Sequence, residues 1–515
     1  MNKKYILVMI LLVFFSACSE DFLEKKPLVE SSAESFFSTE DEANAAIIGI
    51  YSILQNEQTQ LAPFMIIGDD CSDDCTIGNS NSSAYFWLGG PARQLLRFEP
   101  LANNWVSNAL WGQGWRGITW ATTAIERIDG NENVSESKQD QFVGEAYFLR
   151  ALYYFLLMRQ YGRLPIVDHT LTYDEYYAPR ATDEQTWAHI ESDLIEAAKL
   201  LPEKSEYAQS DLGRATKGAA NALLGRAYIY QGKFDDAYTV LGTVITSGEY
   251  DLEPVYSDVF TLEKENGIES IFEIQHGISN TGWANGNEGS ILSFYEHDAD
   301  PDDDVKWHNG WSMHCPTQDL VDSYEEGDPR MEATIIFPDE MFDGHINKNA
   351  ASSTGYQPKK WYIPYDQRSQ SDQSDNPKNI GFYRYADVLL YMAEAANETN
   401  KPGEALGYLE QVRSRARSNA AGENVLPEIT ETGKDALRQL IWQERRVELA
   451  CEGQRFWDLA RQGRAGTVMK AYAEKYDSYK GQYFVEGVNE IFPIPRDQVE
   501  ISNGTMDQNF GYESN

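Results

Sequence analysis

Two stretches of this chain carry apolar residues at helical spacing, and a short turn divides each stretch in two. In residues 214–250 the apolar face stops at Gln231 and Gly232 and then resumes, and residues 387–416 repeat this arrangement around a turn at Pro402. Spacings of three and four residues place such side chains on one side of a helix. Each stretch therefore predicts two helices that pack against each other across a turn.

The small and large residues of the first stretch fall where a tetratricopeptide repeat requires them. Gly225 and Ala237 let two helices approach, and Leu241 fills the groove between them. Because the two stretches are far apart, we expect a mainly α fold with tetratricopeptide-like helix pairs in a discontinuous superhelix. Residues from about 250 to 380 lack a sustained period, which predicts a long loop-rich insertion with short strands. Further helices are expected at 40–55, 104–128, 140–160, 183–200 and 434–463.

The composition is that of a folded and strongly acidic protein. The 515 residues are 42% hydrophobic and 12% aromatic, and the formal net charge at pH 7 is −38. A polyanion repels phosphate backbones and anionic lipid headgroups. The charge therefore argues against a nucleic-acid ligand.

The first residues have the layout of a secretory signal. Lys3 and Lys4 precede an uncharged run from Tyr5 to Phe15, and two small residues then lead to Cys18. The run is too short to cross a bilayer, which takes about 20 apolar residues. A cysteine in this place indicates a lipobox, so we expect Cys18 to be acylated and to become the mature N-terminus. The expected parts are a signal peptide at 1–17, a lipid-anchored tether at 18–30 and a folded domain at 31–515.

Four cysteines remain for the folded domain. Cys71 and Cys75 lie in the sequence GDDCSDDC, close enough to form a disulfide if the loop curls. Connectivity cannot be read from sequence, so this pair is a candidate disulfide. Cys315 and Cys451 have apolar or aromatic neighbours and are expected to be buried thiols.

The charged residues of 444–463 resemble an acid–base set, but a framework role explains them better. Charges three and four residues apart on one helix normally pair with each other or cap neighbouring helices. Raised carboxylate pKa values would need an apolar cleft, and the nearby arginines argue against one. We therefore predict that these residues are framework and that none of them is catalytic. The residues concerned are Glu444, Arg445, Arg446, Glu448, Arg455 and Asp458.

The sequence predicts no cofactor or metal site. Alternating aspartates in 298–302 resemble the start of a calcium loop, but Asp303 stands where that loop needs glycine and Asn309 where it needs glutamate. A solvated acidic loop is the better interpretation, with calcium as the alternative. His308 and His314 lack the HExxH or CxxC context that indicates zinc.

Aromatic and polar residues in two loop stretches are candidate ligand contacts. A sugar presents a flat patch of C–H groups rimmed by hydroxyls, which suits a Trp or Tyr face beside amide or carboxylate groups. Residues 79–97, with the aspartates just before them, and residues 276–314 have this composition. The candidates are Asp69, Asp70, Asn81, Tyr85, Trp87, Arg93, Trp283, Asn285, Tyr295, Trp307 and Trp311.

Five segments, in a fixed order along nearly the whole chain, share one resemblance. They are GEAYFLRALYYFLLMRQYGRLP (144–165), RATKGAANALLGRAYIYQGKFDDAY (214–238), YRYADVLLYMAEAAN (383–397), ERRVELACEGQRFWDLARQG (444–463) and IFPIP (491–495). They resemble the successive signature blocks of the SusD/RagB family of outer-membrane lipoproteins. Ala450 and Cys451 depart from that pattern, which has an aromatic residue before Glu452.

The resemblance implies a surface-exposed outer-membrane lipoprotein that captures a nutrient, most often glycan, without catalysis. It also implies a SusC-like TonB-dependent transporter as the partner. Family members take their ligand aromatics from the loops after the first helix and from the insertion, where both candidate stretches fall. Peptide capture, as by some relatives, is the alternative, although the mixture of Trp and Asn favours sugar. A glycoside hydrolase, with two carboxylates across a cleft, is a further alternative that we do not favour.

Overall fold

Long α-helices form most of the described structure, and their apolar faces meet in one large core. The computed structural model describes residues 37–56, 61–78, 85–99, 102–278, 289–292, 310–348, 352–369 and 375–512. The helices are α1 (Glu40–Ser52), α2 (Tyr85–Leu96), α3 (Trp105–Ile128), α4 (Glu136–Tyr161), α5 (Asp183–Leu200), α6 (Lys217–Tyr230), α7 (Phe234–Thr246), α8 (Gln318–Ser323), α9 (Pro329–Thr334), α10 (Tyr385–Glu398), α11 (Pro402–Ser418), α12 (Lys434–Glu448), α13 (Arg455–Arg461), α14 (Ala465–Lys475) and α15 (Arg496–Ile501). A π-helical segment, Leu61–Asp70, follows α1. Within the ranges described, no helix combines the length and apolar character needed to cross a lipid bilayer.

Short antiparallel strand pairs lie in the described parts of the predicted insertion and at its borders, and one further strand, Cys75–Thr76, comes from the segment before α2. The strands are β1 (Cys75–Thr76), β2 (Ser270–Ile274), β3 (Cys315–Pro316), β4 (Ile335–Ile336), β5 (Met341–Phe342), β6 (His345–Ile346), β7 (Gln357–Pro358) and β8 (Ile380–Arg384). β1 pairs with β3, β2 with β8, β4 with β7 and β5 with β6. The expectation of loops with short strands is met in the part of the insertion that the structure describes.

The two predicted helix pairs are present as α6–α7 and α10–α11. At the contact between α6 and α7, a Cβ added to Gly225 would lie 2.3 Å from Leu241 Cδ2, so only glycine allows this approach. Ala237 and Leu241 are fully buried there. Helix α7 also packs against α10, which makes the two pairs neighbours despite their separation in sequence. The predicted mainly α architecture with discontinuous helix pairs is confirmed.

The single helix predicted for 434–463 is wrong, because the structure has two helices, α12 and α13, joined by a turn. Within that turn Cys451 has a φ of +62° and Gly453 a φ of +73°. Left-handed backbone of this kind ends a helix. A Cβ on Gly453 would lie 2.8 Å from the carbonyl oxygen of Phe64, so the turn packs directly on the π-helical segment. The spacing of apolar residues continues through the turn and therefore did not signal it.

The buried carboxylate of Glu448 joins α12 to three other elements. It accepts hydrogen bonds from Arg330 of α9 at 3.0 Å, from Arg384 of β8 at 2.7 Å and from Arg415 of α11 at 2.5 Å. Burial alone would raise the pKa of Glu448, but these three guanidinium groups hold that pKa far below its ordinary value. One ionised carboxylate thus holds α9, β8 and α11 against α12.

Two further buried charges of α12 also pair with other elements. Glu444 accepts hydrogen bonds from Arg330 at 2.5 Å and from Arg413 at 2.8 Å. Arg445 donates to Asp387 of α10 at 2.5 Å and to Asp458 of α13 at 3.1 Å. The predicted framework role is confirmed, although these partners lie on other elements rather than one turn away on α12.

Replacing Gly225 with alanine should destabilise the protein, because the added methyl group would overlap Leu241 where α6 meets α7. We expect a loss of about 1–3 kcal/mol in the free energy of unfolding, measured by chemical denaturation. Gly407→Ala in α11 is the matched control, because nothing lies within 4 Å of its added Cβ. The control should be neutral or gain up to about 1 kcal/mol from its higher helix propensity. Equal losses in the two variants would contradict the close contact.

Replacing Glu448 with glutamine should cost about 3–5 kcal/mol in the free energy of unfolding, because three buried guanidinium groups lose their shared anion. The control is Glu410→Gln in α11, which removes a partly exposed ion pair of 2.6 Å with Arg417. We expect the control to cost at most about 1 kcal/mol.

The cost of Glu448→Gln should also depend on pH. The pKa of Glu448 is lowered in the folded state, so its stabilisation is complete above the unfolded value of about 4.3 and is lost as pH falls toward the folded value. The difference in unfolding free energy between parent and variant should therefore shrink between about pH 6 and about pH 3, in denaturant titrations at each pH. A difference that stays constant over this range would show that folding does not lower the pKa of Glu448.

Candidate functional site

A cleft of about 550 Å³ opens beside the C-terminal end of α2. Its walls come from β1, from α8, from the loop that precedes β7, and from a segment after α14 that we call the tyrosine loop (residues 476–484). Four tyrosines line the cleft together with charged and amide side chains. The lining tyrosines are Tyr356, Tyr472, Tyr476 and Tyr479.

Tyr479 lines this cleft, and one arginine holds both its exposed ring and the exposed ring of Tyr483 in place. Tyr479 is 49% exposed and Tyr483 is 45% exposed. The Arg97 guanidinium donates to the Tyr479 hydroxyl at 3.2 Å and to the Tyr483 hydroxyl at 2.9 Å. Its Cζ lies 4.5 Å and 4.9 Å from the two ring centroids. The rings are therefore fixed although both remain open to solvent.

Backbone hydrogen bonds attach the tyrosine loop to the end of α2. The N–H of Gly481 donates to the Leu96 carbonyl at 2.8 Å, and the N–H of Tyr483 donates to the Arg97 carbonyl at 2.9 Å. Gly481 has a φ of +71°, a conformation that glycine adopts without strain. These bonds satisfy carbonyls at the helix end and set the position of both exposed rings.

Helix α8 positions the hydroxyl groups of two further tyrosines. The Tyr356 hydroxyl donates to Gln318 Oε1 at 2.7 Å, and the Tyr476 hydroxyl donates to Asp322 Oδ2 at 2.7 Å. Gln318 and Asp322 are joined by a hydrogen bond of 2.8 Å one turn apart on the helix. The hydrogen bond from Tyr476 lowers the pKa of Asp322, so this carboxylate stays an acceptor.

A buried lysine forms the floor of the cleft. Lys480 is 1% exposed, its ammonium donates to the Cys75 carbonyl, and its Nζ lies 4.9 Å from the Tyr472 ring centroid. Burial lowers the pKa of Lys480, an effect that the Asp70 carboxylate opposes. The cleft thus combines fixed aromatic faces with donors and acceptors, which suits a ligand that has flat apolar faces and many hydroxyl groups.

The structure brings part of the first predicted stretch to this cleft. Arg93 lines it and donates to the Gly78 carbonyl at 3.2 Å. Tyr85 and Trp87 lie in the first turn of α2, whose later residues line the cleft, but their side chains are outside the described part. From the second stretch, Trp311 is half-buried against the main core. The predicted residues outside the described ranges are Cys18, Asn81, Trp283, Asn285, Tyr295 and Trp307.

Asp69 and Asp70 were predicted as ligand contacts, and the structure contradicts this because both are fully buried. The Asp69 carboxylate accepts hydrogen bonds from the backbone N–H groups of Gly453, Gln454 and Arg455 at 2.7, 3.2 and 3.3 Å. It therefore supports the start of α13 rather than a surface ligand. The sequence pattern did not reveal that this acidic turn faces inward.

The second aspartate pair of GDDCSDDC is also part of the framework. Asp73 accepts two hydrogen bonds of 2.8 Å from Arg455, and Asp74 accepts one of 2.7 Å from Arg446. Burial raises the pKa of Asp74 to about 6. Burial would also raise the pKa of Asp73, but the two arginines hold it below its ordinary value. These ion pairs connect the segment before β1 to α12 and α13.

The candidate disulfide between Cys71 and Cys75 is absent, since both residues are free thiols. The reason is that the two side chains belong to different clusters. Cys71 packs in the main core, whereas Cys75 packs in a second cluster with Cys451. Cys75 Sγ lies 3.6 Å from Cys451 Sγ. Cys315 and Cys451 are buried, as predicted.

Sequence reasoning missed the tyrosine loop and Arg97. The run YDSYKGQYF between α14 and α15 places aromatic residues among polar ones around a glycine. The same criterion selected residues 79–97, so composition alone was a usable signal. The pairing of Tyr479 and Tyr483 with Arg97 could not be predicted from sequence, because Arg97 is more than 380 residues away from both tyrosines.

Two family profiles match successive parts of the chain. The profile described as the SusD family matches residues 268–512. The profile described as starch-binding associating with outer membrane matches residues 21–229.

Individual relatives match over most of their length. SusD-like protein P2 of Formosa agariphila is 27% identical over 483 residues, which cover 90% of this chain and 91% of that protein. Starch-binding protein SusD of Bacteroides thetaiotaomicron is 24% identical over 438 residues, or 75% of each chain.

Solved structures share the fold. A laminarin-binding SusD-like protein has a TM-score of 0.77 at 27% identity, covering 92% of this chain and 100% of that one. Surface glycan-binding protein A from Bacteroides thetaiotaomicron, in complex with laminarihexaose, has a TM-score of 0.77 at 24% identity and covers 92% of this chain and 99% of that one.

Proposed function

Because the chain belongs to the SusD/RagB family, we propose that it binds oligosaccharide or polysaccharide nutrients at the outer membrane. The bound glycan lies in the cleft beside the tyrosine loop and passes from there to a SusC-like TonB-dependent transporter. The protein itself catalyses no reaction. The observation that carries the proposal is the pair of exposed rings, Tyr479 and Tyr483, fixed by Arg97 at the edge of a polar cleft.

The relatives support carbohydrate as the ligand class. A solved relative with 27% identity binds laminarin, a second relative is a starch-binding protein, and one matching family profile describes starch binding with outer-membrane association. Tyrosine faces are suited to the C–H patches of sugar rings. The amide, guanidinium and carboxylate groups beside them are suited to hydroxyl groups.

The open cleft suits weak binding and release. A ligand held by two or three rings and a few hydrogen bonds at a solvent-exposed edge should bind with micromolar to millimolar affinity, or about −4 to −8 kcal/mol. Such affinity concentrates a glycan at the surface and still allows transfer to a transporter.

Isothermal titration against α-glucan, β-glucan and other oligosaccharides should detect binding to at least one class. Tyr479→Ala and Tyr483→Ala should each weaken that binding about tenfold, which corresponds to 1.4 kcal/mol. Tyr173→Ala is the matched control, because Tyr173 is 77% exposed but lies outside the cleft. Binding that is unaffected by both cleft variants would place the glycan elsewhere.

The same panel should include oligopeptides and a long incubation with each bound glycan. Binding of peptides without any glycan would favour the peptide-capturing alternative. Release of reducing sugar by the purified protein, and its loss on replacing a cleft carboxylate, would contradict a purely binding role.

We also propose that acylated Cys18 anchors the protein to the outer membrane with its folded part facing the cell exterior. Cys18→Ser should move the protein from the membrane fraction to the soluble fraction, because the variant lacks the cysteine that carries the acyl chains. Stable attachment depends on those chains. Antibody labelling of intact cells should detect the parent protein at the surface. Cys71→Ser is the control and should leave the distribution unchanged.

A further inference from the structure

Two cysteines and a histidine from distant parts of the chain meet in the interior beneath the cleft. Cys75 lies in β1, His314 precedes β3, and Cys451 lies in the turn between α12 and α13. One potential ligand atom from each lies within 4.8 Å of the other two, and all three side chains are buried. These residue types are the ligands that thiophilic metal ions prefer.

The separation of the two sulfur atoms suits a shared metal ion. Two thiolates bound to one tetrahedral ion at about 2.3 Å each would lie about 3.8 Å apart. Cys75 Sγ and Cys451 Sγ are 3.6 Å apart. The backbone already holds Cys451 in the left-handed region, at a φ of +62°, where its side chain points to Cys75. The sulfurs therefore need little movement to bind one ion.

An aspartate lies beside the histidine, as expected for a metal-bound imidazole. Asp69 Oδ2 is 3.4 Å from His314 Nε2, and the Asp69 carboxylate is itself held by three backbone N–H groups. A carboxylate next to the ring commonly fixes the orientation of a histidine ligand. A disulfide between the two cysteines would use neither Asp69 nor His314.

We propose that Cys75, Cys451 and His314 bind one thiophilic d10 metal ion, with Zn²⁺ as the probe, and that Asp69 orients His314. Binding replaces the two thiol protons with the metal, so the charge of a Zn²⁺ ion is balanced by two thiolates. This site does not depend on the proposed glycan function.

The ion would brace the floor of the cleft. The Cys75 carbonyl accepts the hydrogen bond from Lys480, and the next residue, Thr76, lines the cleft. The Cys451 carbonyl accepts a hydrogen bond of 2.7 Å from the Trp361 indole. One ion would therefore join β1, the segment before β3 and the turn between α12 and α13.

The test uses the full chain with Cys18→Ser, so that four cysteines remain. The protein is reduced, treated with a chelator, incubated with Zn²⁺ in one sample and Cu⁺ in another, and desalted before metal analysis. We expect about one ion per chain. The double variant Cys75→Ser/Cys451→Ser should retain less than about one tenth of that metal, and His314→Gln should bind at least tenfold more weakly. Cys71→Ala, the matched buried control, should bind as the parent does.

Thermal unfolding provides a second readout. Added Zn²⁺ should raise the midpoint of the parent and of Cys71→Ala but not that of the double variant, since a ligand that binds only the folded state stabilises it. If the double variant does not fold, thiolate-to-metal absorption in the Co²⁺-loaded parent replaces this comparison.

Two results would overturn the proposal. One is the absence of bound Zn²⁺ and Cu⁺, and of Co²⁺–thiolate absorption, in the reduced parent. The other is a native disulfide, seen as two missing thiols that reductant restores and as a cross-linked peptide that joins Cys75 to Cys451.

Discussion

Buried ion pairs between α12 and its surroundings are the interaction on which the rest of this structure depends. Glu448 receives hydrogen bonds from arginines on α9, β8 and α11, and Glu444 shares one of those arginines. Burying so many charges is costly, and it is tolerated only when every charge has a partner in good geometry. The network therefore requires α9, β8 and α11 to be in place together. It joins segments that sequence separates by more than 100 residues.

Helices α12 and α13 also determine where the cleft lies. Asp73 and Asp74 pair with Arg455 and Arg446, and β1 begins directly after them. Gly68 permits this docking, because a Cβ there would lie 2.4 Å from the carbonyl oxygen of Gly453. The framework charges thus fix the floor of the cleft, whereas the tyrosine loop and α8 supply its walls. Paired charges below and rings held by Arg97 above give the cleft a fixed shape, which is what the proposed binding role requires.

Local pattern was a good guide wherever neighbouring residues determine the structure. The two helix pairs, the loop-rich insertion and the framework role of the charged residues in 444–463 all follow from spacing and composition. The break between α12 and α13 does not follow from spacing, because it depends on the packing of Gly453 against Phe64. The prediction that Asp69 and Asp70 contact a ligand was wrong for a similar reason. An acidic turn has the same sequence whether it faces solvent or a set of buried donors.

The sequence by itself determined a mainly helical chain with paired helices and a match to the SusD family profiles, and it predicts lipidation at Cys18. Only the tertiary structure decided which tyrosines meet at a cleft, which aspartates turn inward, and that Cys75 has Cys451 rather than Cys71 as its neighbour. Helices follow from spacings of three and four residues, which are visible in the sequence. Contacts between residues more than 370 positions apart follow from the packing of the whole core, which no local pattern encodes.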